Sequence, residues 1–322
     1  IGSGLVGSEM CIRDRVCMNL KEYYKDAINN HYALGAFNFC NLESLKGILN
    51  AAKESNSPVI VATSESAVKY IGDEYLKHLI LATKKTYDIP IFFHLDHGKD
   101  FEICKKAIKL GFDSVMIDGS SLTLKENIEL TKKVVDYAHK HNVQVEGELG
   151  RLLGIEDDVC SDKSIYTSPD EAKIFVEQTN VDSLAIAIGT SHGINKFQNE
   201  PKLAIDVLKK IQRKIPNTPL VLHGASSVDE NVIKQINNLG GNIKKAKGVS
   251  ANILFDVCKN YNICKINVDT DIRMATVLAL KQYFNAFSDS VDTKKLFGEV
   301  QKAISNLVSF KIQHVFNSKD RI

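Results

Sequence analysis

Three histidines in this 322-residue chain are each followed directly by glycine: His97 in FFHLDHG, His192 in IGTSHG and His223 in LVLHG. Each pair closes a short apolar, β-rich run. If those runs are parallel strands of one sheet, the three imidazoles meet at one end of it. Three imidazoles with a fourth position left open are the donor set of a catalytic zinc. A glycine after each ligand lets backbone or substrate come close. One such histidine alone reads as a satisfied core residue, but three with the same neighbour at equivalent strand ends do not.

Carboxylates stand beside these histidines. Asp96 immediately precedes His97, where it can act as a general acid–base on a bound substrate or orient a ligand histidine. Spacing leaves both roles open. His94 shares the strand face of Asp96 and reads as a supporting residue rather than a ligand. Asp118 in VMIDGS and Glu148 in VEGELG end two further runs. They suit a second cation, the orientation of histidines, or plain capping. Glu156 in GIEDD sits in a long connection, where a loop carboxylate can carry a proton-transfer base into a site or simply be solvated. His31, His78, His139, His141 and His314 lie in polar segments and read as solvated.

A third theme is anion binding. The segments HGASS (223–227), NVDTD (267–271) and GTSHG are rich in small residues that expose backbone N–H groups. Hydroxyls of Ser226, Ser227 and Thr270 add donors. Lys196 and Arg273 follow two of these loops and bring positive charge. Together they point to two phosphates on one substrate, on either side of the metal.

These residues need a scaffold. β-Rich runs are expected at 33–38, 58–63, 90–95, 114–118, 143–148, 183–188, 219–222 and 263–268. Several, such as SLAIAIG, are almost wholly apolar, as parallel strands covered on both faces are. Amphipathic helical patterns separate them, for example Leu203, Ala204, Val207, Leu208 and Ile211 on one stripe. Eight such units without a composition break predict an α/β fold, a single (β/α)8 TIM barrel spanning residues 18–322. A doubly wound sheet would show a glycine-rich phosphate turn after its first strand, and FNFCNLES has none. The long connections, 150–169 and 240 to about 250, are then active-site loops at the C-terminal face. Residues 1–17 carry no helical or strand period and read as a non-native or disordered tail.

Composition narrows the function class. Charged residues make up 25% of the chain, the formal net charge is +2, and no run of one sign is long. Neither nucleic acid nor a membrane surface is called for as a partner, and no apolar run reaches the ~18 residues of a spanning helix. The seven cysteines are scattered without a C-x-x-C spacing, which fits reduced thiols and a cytoplasmic location.

The segments GAFNF, HLDHG, MIDGS, GELG followed by GIEDD, GTSHG, LHGASS and KINVDTDIR resemble the class II, zinc-dependent fructose-bisphosphate aldolases, in the same order from about Leu20 to the C-terminus. The resemblance implies that His97, His192 and His223 ligate zinc and that Asp96 handles the C4 hydroxyl proton. It implies a second metal position, or a monovalent cation, near Asp118 and Glu148, and carbon-acid proton transfer by Glu156. Gly193, Gly224, Ala225 and Ser226, with Asn267, Val268, Asp269 and Thr270, match a dihydroxyacetone-phosphate pocket. Lys196 and Arg273 are similar to residues facing the other phosphate, and Asn38 and Ser64 to strand-end substrate contacts. No lysine Schiff base is required. Asp269 with Arg273 favours fructose over tagatose 1,6-bisphosphate, a tagatose-bisphosphate aldolase being the alternative. The resemblance also implies a homodimer or larger homo-oligomer and a place in glycolysis or gluconeogenesis. The chain departs from the family in GSSLTLKEN after strand four and in Arg151-Leu152-Leu153-Gly154, where Leu153 is expected to stiffen the Glu156 loop. Two other readings stay in view. A barrel hydrolase would carry an H-x-H after strand one, which GAFNF lacks, and a phospho-ligand-binding scaffold would have lost a ligand or base.

Overall fold

Eight parallel strands close on themselves in the order β1-β11-β10-β8-β5-β4-β3-β2, with helices between them, a (β/α)8 TIM barrel. The computed structural model describes residues 18–151, 153–156, 159–161, 165–192, 202–244 and 247–322, with backbone alone for 153–156, 159–161 and His192. The barrel strands are β1 (Leu34–Asn38), β2 (Val59–Ser64), β3 (Ile91–Gly98), β4 (Ser114–Ile117), β5 (Gln144–Leu149), β8 (Ser183–Ile186), β10 (Leu220–Leu222) and β11 (Ile263–Val268). All eight expected strands are present, displaced by a few residues at their ends.

Side-chain alternation divides each strand between two environments. Outward residues such as Phe93, Leu95, Val145, Leu184, Leu222 and Ile266 join the helices in one large apolar cluster. That outer layer accounts for the continuous apolar runs, since a parallel strand under helices buries both faces. The inner face is different. Met116, Ala185 and Val221 form a small apolar cluster of their own, while His94, Asp96, Glu146, Glu148, Lys265 and Asn267 are buried polar residues of the same strands. The largest apolar core thus lies outside the barrel, and the inside combines smaller apolar clusters with buried charged and polar side chains.

The N-terminal end is closed by the helix Leu20–Asn30, which the sequence reading did not foresee. A capping box between Asn19 and Glu22 starts it. Its Leu20, Tyr23, Tyr24 and Ala27 pack on Leu34, Ile60, Phe92 and Cys264, with the rings of Tyr23 and Phe92 edge to face at 5.6 Å. Leu20, Tyr23, Tyr24 and Ala27 recur at i, i+3, i+4 and i+7, so the helix was legible in the sequence. At the other end of the chain the helix Thr293–His314 lies across the helix Leu42–Glu54. Gly47 makes that approach possible, because a Cβ there would sit 2.8 Å from the Gln301 carbonyl oxygen.

The expected irregular connection 150–169 contains structure of its own. β6 (Leu153–Glu156) and β7 (Val159–Ser161) form an antiparallel hairpin, and β6 also pairs in parallel with β9 (Ser191–His192). Arg151 and Ile165 close its base with reciprocal backbone hydrogen bonds of 2.8 Å. Among the described residues no helix is long and apolar enough to cross a membrane. Residues 1–17, the predicted tail, lie outside the described residues.

Candidate active site

The site is built from the C-terminal ends of β3, β4, β5, β10 and β11. Asp96 and His97 are consecutive, and on a regular strand they would point to opposite faces. Here β3 shifts register against β4 between Leu95 and Gly98, and His97 adopts φ +48°. Such a bulge re-aims a side chain and lets both residues serve the barrel mouth. The glycines that follow the histidines have a plain structural reason. A Cβ on Gly98 would meet the Met116 carbonyl oxygen at 2.7 Å, and one on Gly224, where φ is +61°, would meet the Ser191 backbone at 2.7 Å. In both places glycine admits neighbouring backbone.

His97 and His223 are each fixed by a carboxylate. His97 Nδ1 lies 2.9 Å from Asp118 Oδ2 and 3.7 Å from Glu148 Oε2, while Asp118 Oδ1 accepts the Ser120 N–H. That leaves Nε2 as the ring nitrogen able to take a metal. His223 Nε2 lies 2.7 Å from Glu146 Oε1, so His223 offers Nδ1, 3.8 Å from Asp96 Oδ1. The two rings stand edge to face at 4.6 Å. Carboxylate-held histidines of this kind are what metal sites use to fix tautomer and orientation.

Beneath them runs a buried polar chain that the sequence reading missed. Lys265 Nζ donates to Glu146 Oε2 at 2.8 Å and contacts His94 Nε2 at 2.9 Å. His94 Nδ1 in turn meets Ser114 Oγ at 2.7 Å. His94 is therefore a supporting residue, as expected. Glu146 and Lys265 had a legible signal, since each lies two residues before a named site residue on the same strand face. Asp96 is held from two sides: Asn38 Nδ2 donates to Oδ2 and Asn267 Nδ2 to Oδ1, both at 2.8 Å. The Oδ1 atoms of Asn38 and Asn267 are buried with no hydrogen-bond partner among the described residues.

The charge balance is that of a cation site. Burial, then repulsion by Asp118, pushes the Glu148 carboxyl well above its usual range. Burial also opposes ionisation of Asp118, but the hydrogen bond and charge of His97 overcome it and hold its carboxyl low. Burial disfavours protonated His97 as well, yet Asp118, Asp96 and Glu148 push its pKa up to about 10. His223 and His94 are driven well below the ordinary histidine value, burial being the main cause, which keeps both neutral, as ligation requires of His223. Two donor groups, Asp96–His97–His223 and His97–Asp118–Glu148, each have ligand atoms within 4.8 Å of one another. The neutral His223 ring, a His97 ring whose proton a cation would displace, and the crowded carboxylates fit a divalent metal.

The other predicted residues fall as follows. Ser64 ends β2 beside Asp96 in register and caps the next helix through the Ala67 N–H. Ala225 and Ser226 are buried in the loop after β10. Val268 belongs to the outer apolar cluster, so only its backbone is available to a ligand. Asp269 and Arg273 pair at 2.7 Å just outside the mouth, with Arg273 60% exposed, and Thr270 begins the helix Thr270–Ala286. The β6–β9 pairing puts Gly154, two residues before Glu156, beside His192; the side chains of His192 and Glu156 lie outside the described residues, as do Gly193 and Lys196. Of the five histidines expected to be solvated, His139 is bound instead, 2.8 Å from buried Asp182.

Fold and site together define a (β/α)8 barrel with a candidate metal-binding cluster at its mouth and a buried carboxylate, Asp96, within that cluster. The family model for fructose-bisphosphate aldolase class-II matches residues 18–321. Proteins named fructose-bisphosphate aldolase from Helicobacter pylori and Giardia intestinalis are 45% and 44% identical, over 88% and 91% of this chain and 92% and 91% of theirs. The crystal structure of the YdjI aldolase from Escherichia coli K12 superposes with a TM-score of 0.76 at 32% identity, covering 94% of this chain and 98% of that one. The chain belongs to the class II fructose-bisphosphate aldolase family.

Proposed function

We propose that the protein catalyses the reversible aldol cleavage of fructose 1,6-bisphosphate to dihydroxyacetone phosphate and glyceraldehyde 3-phosphate, with zinc held by His97, His192 and His223. The observation that carries this reading is Asp96, buried between His97 and His223 with each carboxylate oxygen engaged by an asparagine. A carboxylate so fixed is oriented to take the C4 hydroxyl proton. Burial works against its charge, but His97, His223 and Lys265, with the Asn38 hydrogen bond, keep it below the usual carboxylate range, so it is ionised and ready to accept. Zinc, when bound, supplies Lewis-acid stabilisation of the negative charge left on the three-carbon fragment. Glu156, on the hairpin that pairs with the His192 segment, is the group assigned to protonate the carbanion carbon. Asp118 and Glu148 orient His97 and offer a position for a second metal or monovalent cation.

The loop 224–226 and residues 267–270 bind one phosphate, with Asn38 and Ser64 at strand ends, and Lys196 and Arg273 serve the other. Lys265 is committed to Glu146 and His94, in keeping with a reaction that needs no Schiff base. We place the enzyme in the cytoplasm as a homodimer or larger homo-oligomer. The exposed Val277, Phe284, Phe287 and Phe310 are apolar surface such an assembly can cover. The test is a coupled assay with fructose and tagatose 1,6-bisphosphates, with and without chelator. Cleavage that prefers the fructose compound, disappears on metal removal, returns with zinc and survives borohydride is expected. Activity that outlasts thorough metal removal would overturn the reading.

A further inference from the structure

The loop after β10 carries a feature the aldolase chemistry does not use. Asp271, in the first turn of the helix Thr270–Ala286, accepts the N–H groups of both Ser227 and Val228 at 2.9 Å, one on each carboxylate oxygen. Lys311, from the C-terminal helix, pairs with Asp271 Oδ2 at 2.6 Å and donates to Ser227 Oγ at 2.9 Å. Both charges are buried, with Lys311 only 2% exposed. Their charges are spent on each other and on residues 227–228, and a buried pair of this sort contributes little net stability compared with apolar packing. Its effect is on shape. Val228 is held at φ +47°, a left-handed conformation that a β-branched residue adopts only when its surroundings impose it. Asp271 imposes it by fixing the Val228 N–H. From the other side Gly248 donates to the Ser227 carbonyl at 3.0 Å, and a Cβ on Gly248 would run into the Ser226 carbonyl oxygen.

We propose that Lys311 and Asp271 are positioning residues for substrate phosphate. They lock residues 227–228 and thereby hold Gly224, Ala225 and Ser226 in the arrangement that presents their N–H and hydroxyl donors to the anion. This rests on the reading of that loop as a phosphate site. A cavity of about 270 Å³ beside the pair, lined by Met274, Leu278, Leu307 and Phe310, leaves room for a guanidinium at position 311.

The test compares wild type, Lys311→Met, Lys311→Arg and the charge-free pair Asp271→Asn/Lys311→Met. In Lys311→Met and the double variant, KM for fructose 1,6-bisphosphate should rise about tenfold or more, with kcat within about threefold and metal content unchanged. Lys311→Arg should bring KM back toward wild type. The double variant, which buries no lone charge, keeps the test available where Lys311→Met folds poorly. Inorganic phosphate binding, read by calorimetry, should weaken in parallel. Lower melting temperature with KM and phosphate affinity unchanged would make the pair merely structural and overturn the proposal. Wild type that binds phosphate in a Lys311-dependent way yet cleaves no sugar bisphosphate would support the clamp and count against the aldolase reading alone.

Discussion

In the proposed reaction Asp96 is the residue on which the chemistry turns, and its surroundings favour one of the two roles that spacing left open. An orienting carboxylate should hold a ligand ring nitrogen, but His97 Nδ1 is taken by Asp118 and His223 Nε2 by Glu146. Asp96 is engaged by asparagine amides instead. Asp96→Ala should therefore retain metal while kcat falls by about 10²–10⁴, the usual worth of a positioned general base. Elemental analysis and steady-state kinetics check it; turnover near wild type, or loss of metal, would return Asp96 to an orienting role. At this scale the sequence was legible where a residue type was unexpected in its place: acids and histidines at the ends of apolar runs. It was less legible for Glu146 and Lys265. A lysine within ICKINV looks like an ordinary solvated charge until the strand's inner face is known to be closed by seven others. The positive φ of His97 could not be read at all, because it comes from the register of β3 against β4 rather than from its own side chain.

Among the elements, the hairpin that carries Glu156 departs most from expectation. Two segments that differ from the family pattern, GSSLTLKEN and Arg151-Leu152-Leu153-Gly154, turn out to touch. The Arg151 guanidinium donates to the carbonyl oxygens of Ser121 at 2.9 Å and Ser120 at 3.4 Å, across from its own backbone bridge to Ile165. The base of the hairpin is thus tied to the loop after β4, the loop that also carries Asp118. Arg151→Ala should loosen it. Amide exchange over 153–161 should accelerate, and kcat should fall several-fold with KM within about twofold, as for a change in loop closure. Unaltered exchange would show that the strand pairing alone sets the loop. The eight barrel strands were readable because burial on both faces writes itself as apolar runs. The hairpin was not, because strands of four and three residues are too short for a strand period to register in the sequence.

For the molecule as a whole, the last helix is joined to the catalytic end of the barrel through charge as well as packing. Thr293–His314 buries Val300, Ile304, Val308 and Ile312, and its Lys311 reaches Asp271 and the loop after β10. Burial alone would raise the Asp271 carboxyl, but the charge and hydrogen bond of Lys311 and the N–H groups of Ser227 and Val228 outweigh it and hold its pKa below the usual value. The sign follows from linkage: a carboxyl whose folded pKa is depressed adds stability above its unfolded pKa, about 3.9. That stability is lost as pH falls through the lower folded value. Wild type should then lose melting temperature more steeply between about pH 5 and pH 3 than the Asp271→Asn/Lys311→Met variant, which has no such proton to gain. Wild type should therefore lose ground to the variant as pH falls through this range, whichever of the two melts higher near neutrality. Differential scanning calorimetry on metal-free protein isolates this effect from ligand loss at the histidines. Parallel curves at all pH values would mean that the C-terminal helix is held by its apolar face alone, and that the charged contact serves the loop without anchoring the fold.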